Sequence, residues 1–255
     1  VLPEVKPSPR SLNEVTFSIA KSAQWAPGLA SGGDWASWAA SPWQIEAAGE
    51  PAVAQMPAML RRRAGFLGKM ALEVAYECLD GHAGVPTVFC SRHGEVARAV
   101  GLLDDMARGE LISPTSFGLA VHNASAGLFS IARADRANHI ALCGGTSTIE
   151  HGIIEACGLL ADGATMVLLV AYDAPLPDLL GHFDDANEQP HAWAWALVPA
   201  ADNPITLGWR HVAPAAGEER AAMPGGLEVL RFYLSGSRRL ERRAGQHCWT
   251  WSRDA

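Results

Sequence analysis

The chain has 255 residues, 49% of them hydrophobic and 18% charged, and its 20 lysines and arginines against 27 aspartates and glutamates give a net charge of −7. This composition supplies a large apolar core and excludes global disorder, while the acidic balance disfavours general nucleic-acid or membrane-surface binding, the cluster Arg61, Arg62, Arg63 being too short to reverse it. At ~150 residues per domain the length predicts a single compact α/β unit over residues 1–255.

Residues 1–13, with three prolines in the first ten, predict an extended leading segment without a signal-peptide core. Val15–Ala20 alternates apolar and polar residues at period two, which predicts a strand. Trp25, Trp35, Trp38 and Trp43 follow among Gly, Ser, Ala and Pro and predict a loop with aromatic anchors. Pro57–Asp80 has helical spacing and ends before Gly81. Val85–Cys90 reads as a short buried strand, Glu95–Arg108 as a helix and Ser113–Ile131 as another. His139–Cys143 predicts a strand that turns at Gly144 and Gly145 into a helix over Ser147–Leu160. Ala164–Tyr172 is apolar throughout, as a strand covered on both faces must be.

Pro177–Pro190 reads as an acidic loop. In His191–Val198 the residues Trp193, Trp195 and Leu197 share one face and alanines the other, so a strand with one bulky and one small face is expected. A short helix at Gly226–Leu234 and an alternating strand at Gln246–Trp251 complete the C-terminal portion, residues 191–255. The five cysteines, Cys78, Cys90, Cys143, Cys157 and Cys248, have irregular spacing and no CxxC pair. They predict reduced thiols and a cytoplasmic protein. No apolar run reaches the ~18 residues of a membrane span.

The most informative stretch is Ile112–Ala156. Ser113 and Pro114 form a step into a helix bearing Asn123, Ala126, Gly127, Ser130 and Ile131, and a strand and a sharp turn follow. This text resembles the N-terminal half of a β-ketoacyl synthase, in particular the short synthase-like proteins and chain length factors of aryl polyene type II polyketide pathways. The resemblance implies a truncated thiolase-like fold, half of the usual two-repeat α-β-α-β-α arrangement, with extra Trp-rich C-terminal strands. Counted along the motif, the family's nucleophilic cysteine falls on Thr146. Cys143 lies three residues earlier, in a predicted strand where burial would blunt a thiol. Thr146 sits near a helix N-terminus, but a dipole alone does not ionise a hydroxyl.

The resemblance therefore implies a synthase shape without its nucleophile. The catalytic histidines of the family also belong to a second half that this length does not hold. A non-catalytic chain length factor is the reading that follows, paired in a heterodimer with a catalytic ketosynthase that works on acyl carrier protein and a growing polyene or acyl chain. No cofactor or metal is implied. Ser116, Phe117, Ala120, Asn123, Gly127 and Thr146 carry over as tunnel-lining or interface positions, and an apolar interface of roughly 2,000 Å² or more is expected. The small residues Ala124–Gly127 equally suit close helix packing within one chain.

A serine esterase or thioesterase using Ser147 is the alternative. Strand, turn, serine and helix outline a nucleophile elbow with Gly145 two residues before Ser147, although Ile149 stands where a second glycine belongs. His211 or His191, with Asp184, would complete it. The Cys90 and His93 pair has metal-like spacing without a second pair, His151 reads as a surface or interface histidine, and Glu218, Glu219, Arg220 as a solvated loop.

Overall fold

The structure is a computed structural model describing residues 13–46, 49–213 and 221–253. The leading segment through residue 12 and the Glu218–Arg220 run lie outside the described residues. In chain order the elements are β1 (Asn13–Trp25), α1 (Gly32–Ala40), α2 (Ala58–Arg61), α3 (Phe66–Leu79), β2 (Thr87–Cys90), α4 (Val96–Ala107), α5 (Pro114–Gly118), α6 (Ala124–Arg133) and β3 (His139–Leu142). They continue with α7 (Thr148–Ala161), β4 (Val167–Asp173), β5 (His191–Pro199), β6 (Ile205–His211), α8 (Gly225–Leu234), β7 (Arg239–Ala244) and β8 (His247–Arg253).

All eight strands form one mixed sheet in the order β3-β2-β4-β5-β1-β6-β8-β7. β2 runs parallel to β3 and β4, and the remaining pairs are antiparallel. The Trp-rich C-terminal strands thus extend the sheet instead of forming a second unit. α3 and α6 cover one face, and α1, α7 and α8 the other. β4 is buried at every residue because its side chains serve both layers: Leu168, Val170 and Tyr172 point to the first, Leu169 and Ala171 to the second. β5 divides as its sequence predicts, with Trp193, Trp195 and Leu197 in the α1/α7/α8 layer and Ala192, Ala194 and Ala196 under α3. The two indoles sit 4.4 Å apart between ring centroids.

Several expectations need correction. The stretch between Trp25 and Trp43 holds a helix, α1, where a loop was expected. Its start is a capping box: the Asp34 backbone N–H donates to the Ser31 hydroxyl at 3.2 Å, and the Ser31 N–H donates to the Asp34 carboxylate at 2.8 Å. Trp35 and Trp38 are buried one turn apart, edge to face at 5.7 Å, and this burial outweighs the poor helix propensity of Gly32 and Gly33.

The single helix expected over Pro57–Asp80 is two, α2 and α3, separated by a turn at residues 62–65. The helix expected over Ser113–Ile131 is likewise α5 and α6. His122 bonds the Leu142 carbonyl at 3.2 Å, and this contact ties the intervening turn to the end of β3. A 3-10 helix, Asp178–Phe183, occupies part of the expected acidic loop. β6 and β7 were not anticipated.

Candidate functional site

The parallel strands β2, β3 and β4 end at the same edge of the sheet, and their carboxyl ends build the site. Past β3 the chain passes Cys143 and Gly144 and makes a 3-10 turn, Gly145–Ser147, into α7. Gly145 has φ +59°, a left-handed conformation natural to glycine, which lifts Thr146 to an exposed position beside the N-terminus of α7. Thr148 staples the turn: its hydroxyl donates to the Gly145 carbonyl at 2.7 Å and accepts from the Gly144 N–H at 3.0 Å. Among the described residues, no side chain hydrogen-bonds the Thr146 hydroxyl.

Cys143 departs from its expected place. It lies beyond β3, is exposed, and donates its thiol to the Arg92 carbonyl at 3.0 Å. β3 is an edge strand, so a residue just past its end gains no cover from a neighbour on that side.

A cavity of about 500 Å³ opens beside Thr146. Its wall includes Arg92 after β2, Asp173 at the end of β4, Asp185 and Glu188 from the loop before β5, Glu228 on α8 and Arg242 on β7. Asp173 is buried and accepts from the Ser91 hydroxyl at 2.8 Å and from the Arg92 backbone N–H at 2.9 and 3.0 Å. The Arg92 guanidinium forks onto Asp185 and reaches Glu188 at 3.3 Å. Burial raises the Asp173 carboxyl above the ordinary range despite these donors. Burial, reinforced by the charge of Asp173, does the same to Glu188.

Across the cavity Arg242 forms ion pairs with Glu150 and, at 2.6 Å, with Glu228. It also donates to the Thr146 carbonyl at 3.4 Å, tying the turn to β7. Burial works against the Arg242 charge, but Glu150 and Glu228 hold it more firmly protonated than usual. Glu150 is fully buried and accepts from the Trp251 indole at 3.3 Å as well. This charged network escaped the sequence reading. Only its strand-end positions offered a signal, and hydropathy gives no hint of an arginine buried in an edge strand.

The serine hydrolase arrangement does not assemble. Ser147 is buried, and its hydroxyl accepts from the Trp249 indole at 3.0 Å. His191 is buried and turns its Nδ1 to the Gln189 carbonyl at 2.8 Å, while His211 bonds the Gln246 side chain at 3.1 Å. Asp184 accepts from the Ala186 and Glu188 backbone N–H groups. His151 is half-buried and packs edge to face on Trp249 at 5.5 Å. Among the described residues, no group of three or more His, Cys, Asp or Glu side chains could hold a metal ion.

Of the other positions singled out, Phe117 and Asn123 are exposed, and Ser116, Ala120 and Gly127 are half-buried. Ala124, Ser125 and Ala126 face inward, where the absence of a side chain on Gly68 of α3 lets the Ser125 hydroxyl approach within 3.2 Å of its would-be Cβ. The small-residue stretch therefore serves close packing within the chain. On α4, α5 and α6 and in the segments between them stand Leu103, Met106, Leu111, Phe117, Val121 and Ile131, all large, apolar and exposed. No helix among the described residues is long and apolar enough to cross a membrane.

A family model described as the β-ketoacyl synthase N-terminal domain matches residues 35–252. None of the curated proteins matches the chain. Among solved structures, a chain of the ketosynthase ApeO in complex with its chain length factor ApeC from Xenorhabdus doucetiae superposes with a TM-score of 0.83 at 26% identity, over 94% of this chain and 100% of that one. A chain of the ishigamide ketosynthase/chain length factor gives a TM-score of 0.61 at 15% identity, over 77% of this chain and 68% of that one. A chain of AntDE:AntF, a type II polyketide synthase acyl-carrier protein with its ketosynthase bound to the hexaketide, gives 0.66 at 12% identity, over 94% and 99%. The last two likenesses show the fold alone.

Proposed function

The chain belongs to the β-ketoacyl synthase N-terminal domain family, and on that premise we propose that it is a non-catalytic chain length factor. It pairs with a catalytic ketosynthase and shapes the tunnel holding an acyl or polyene chain attached to acyl carrier protein. The observation that carries this reading is the turn at Thr146. The strand end, the left-handed Gly145 and the N-terminus of α7 present the position from which the family's cysteine would attack, and a hydroxyl without a hydrogen-bonded base stands there.

A threonine hydroxyl so placed is a poor nucleophile at neutral pH, because among the described residues no hydrogen-bonded base takes its proton. The partner supplies the thiol. The exposed apolar side chains on and between α4, α5 and α6 offer that partner an apolar seat, of the kind that stable subunit interfaces bury at their centre. Ser116, Phe117, Ala120, Asn123 and Gly127 are the tunnel-lining or interface positions of this reading, in which a change in side-chain volume alters the space left for the growing chain. Likeness to a chain of the ApeO and ApeC complex supports the pairing of a ketosynthase with a chain length factor.

Co-expression with a candidate partner ketosynthase tests the reading. A stable complex with a defined product length is expected, in which Thr146→Ala leaves the condensation rate nearly unchanged. A monomer that ignores the ketosynthase, or a roughly thousandfold loss of rate on Thr146→Ala, about 4 kcal/mol of barrier, overturns it.

A further inference from the structure

His211 and His247 line no part of the cavity beside Thr146, and the chain length role does not use them. The antiparallel register of β6 and β8 sets the two residues directly opposite one another. Their imidazoles stand with ring centroids 6.1 Å apart and planes at 75°. Strand alternation puts both rings on the face that carries Trp209 and Trp249, and turns Arg210, Arg243 and Cys248 to the other face. Arg242, on the same face of β7, is held by Glu150 and Glu228. His247 packs on Trp249 at 5.2 Å and Trp249 on Trp209 at 5.9 Å, so the pair rests against indoles on one side.

Each ring keeps a nitrogen free to bind. The His211 Nε2–H donates to Gln246 Oε1 at 3.1 Å, which leaves Nδ1 as the nitrogen with the lone pair. A hydrogen bond on the far nitrogen is also what orients histidines that ligate metals. Neither ring nitrogen of His247 is hydrogen-bonded among the described residues. His211 is exposed and His247 half-buried, so an ion from solvent reaches the pair. A third imidazole, His151, lies 6.4 Å from His247 but turns its Nδ1 toward Gly144. With metal–nitrogen bonds of about 2.0–2.1 Å, two imidazoles that share one ion have ring centres no more than about 6.4 Å apart. The separation of His211 and His247 lies within that limit, and rotation of the exposed His211 side chain is the only adjustment needed.

We propose that His211 and His247 form a two-histidine site for a late first-row divalent metal ion, Ni²⁺, Cu²⁺ or Zn²⁺, which cross-links the ends of β6 and β8. Neutral imidazole suits these ions, whereas Mg²⁺ and Ca²⁺ take oxygen ligands. Among the described residues no third His, Cys, Asp or Glu completes the site. Water therefore fills the remaining positions, and the ion exchanges with solvent.

Titration of the purified, untagged chain with NiCl₂ tests the site without depending on the chain length role, because Ni²⁺ bound there quenches the fluorescence of the adjacent Trp249. Saturable quenching by a single ion is expected, together with a rise in the thermal midpoint. His211→Ala and His247→Ala should each weaken binding at least tenfold and abolish the rise. His139→Ala and Cys143→Ser, which alter an exposed imidazole and an exposed thiol near β3, should leave both readouts unchanged, and MgCl₂ should produce neither. Circular dichroism establishes that each variant is folded. Absence of saturable quenching in the wild-type chain, a loss confined to one of the two histidine variants, or equal weakening by His139→Ala overturns the proposal.

Discussion

The Trp249 indole donates to the Ser147 hydroxyl at 3.0 Å, so β8 is fastened to the first turn of α7 through the serine that a hydrolase would have used. Ser147→Ala removes the acceptor and leaves a buried N–H unpaired, at an expected cost of about 1–3 kcal/mol. Urea denaturation measures it. A fluorophosphonate probe should leave the wild-type protein unlabelled, because the hydroxyl is buried and no histidine among the described residues hydrogen-bonds to it.

Arg242 and Glu150 form the deepest ion pair of the site. Arg242→Met strands a fully buried carboxylate, and an expected loss of about 3–5 kcal/mol follows. Adding Glu150→Gln should restore much of it, since the uncompensated charge is then gone. A double-mutant cycle by denaturation reads the coupling, and equal stabilities of the single and double variants would show that the pair is not the source.

The pH dependence of stability has two opposing contributions. His191 is pushed from its ordinary 6.5 down to about 4 by burial, so its contribution is complete above 6.5 and is lost as the pH falls toward 4. Glu188 and Asp173 are raised, so the folded state holds protons that the unfolded state has released. Their contribution is complete below the ordinary values of 4.5 and 3.8 and is lost as the pH rises through the raised ones. Denaturation midpoints should therefore fall on going from 6.5 to alkaline pH, where His191 no longer titrates. Glu188→Gln should flatten that limb.

Phe117 and Ile131 are 67% and 65% exposed. Phe117→Asp and Ile131→Asp should leave the chain folded, within about 0.5 kcal/mol of wild type, yet weaken ketosynthase association tenfold or more, about 1.4 kcal/mol. Sedimentation of the mixed subunits measures this. Unchanged association would place the partner on another face.

Ala120→Phe should shorten the product of the complex by filling space left for the growing chain. Product mass spectrometry reads it out, and an identical product distribution would mean that this side chain faces elsewhere.

The sheet centre was legible because its physics is local. The apolar run of β4 and the bulky and small alternation of β5 follow from period-two side chains meeting two layers. The Gly, Ser, Ala and Pro content of the stretch around α1 masks its helix, although Ser31 and Asp34 carry the capping-box spacing. β7, RLERRA, has no apolar alternation to read: Arg242 is buried there because Glu150 and Glu228, distant in sequence, receive it. The Thr146 turn was found by its motif. The carboxyl cluster around it was not, since Asp173, Glu188 and Glu228 meet only when three separate segments converge.

The division of β5 means that the two layers fail in opposite ways when altered. Beneath α3, enlarging Ala194 or Ala196 overpacks a space already closed, costing about 1–3 kcal/mol. On the other side, trimming Trp193 or Trp195 opens a void, costing about 3–5 kcal/mol. A single strand thus sets an upper limit on residue size for one half of the core and a lower limit for the other, and a one-residue insertion or deletion that shifts its register violates both at once.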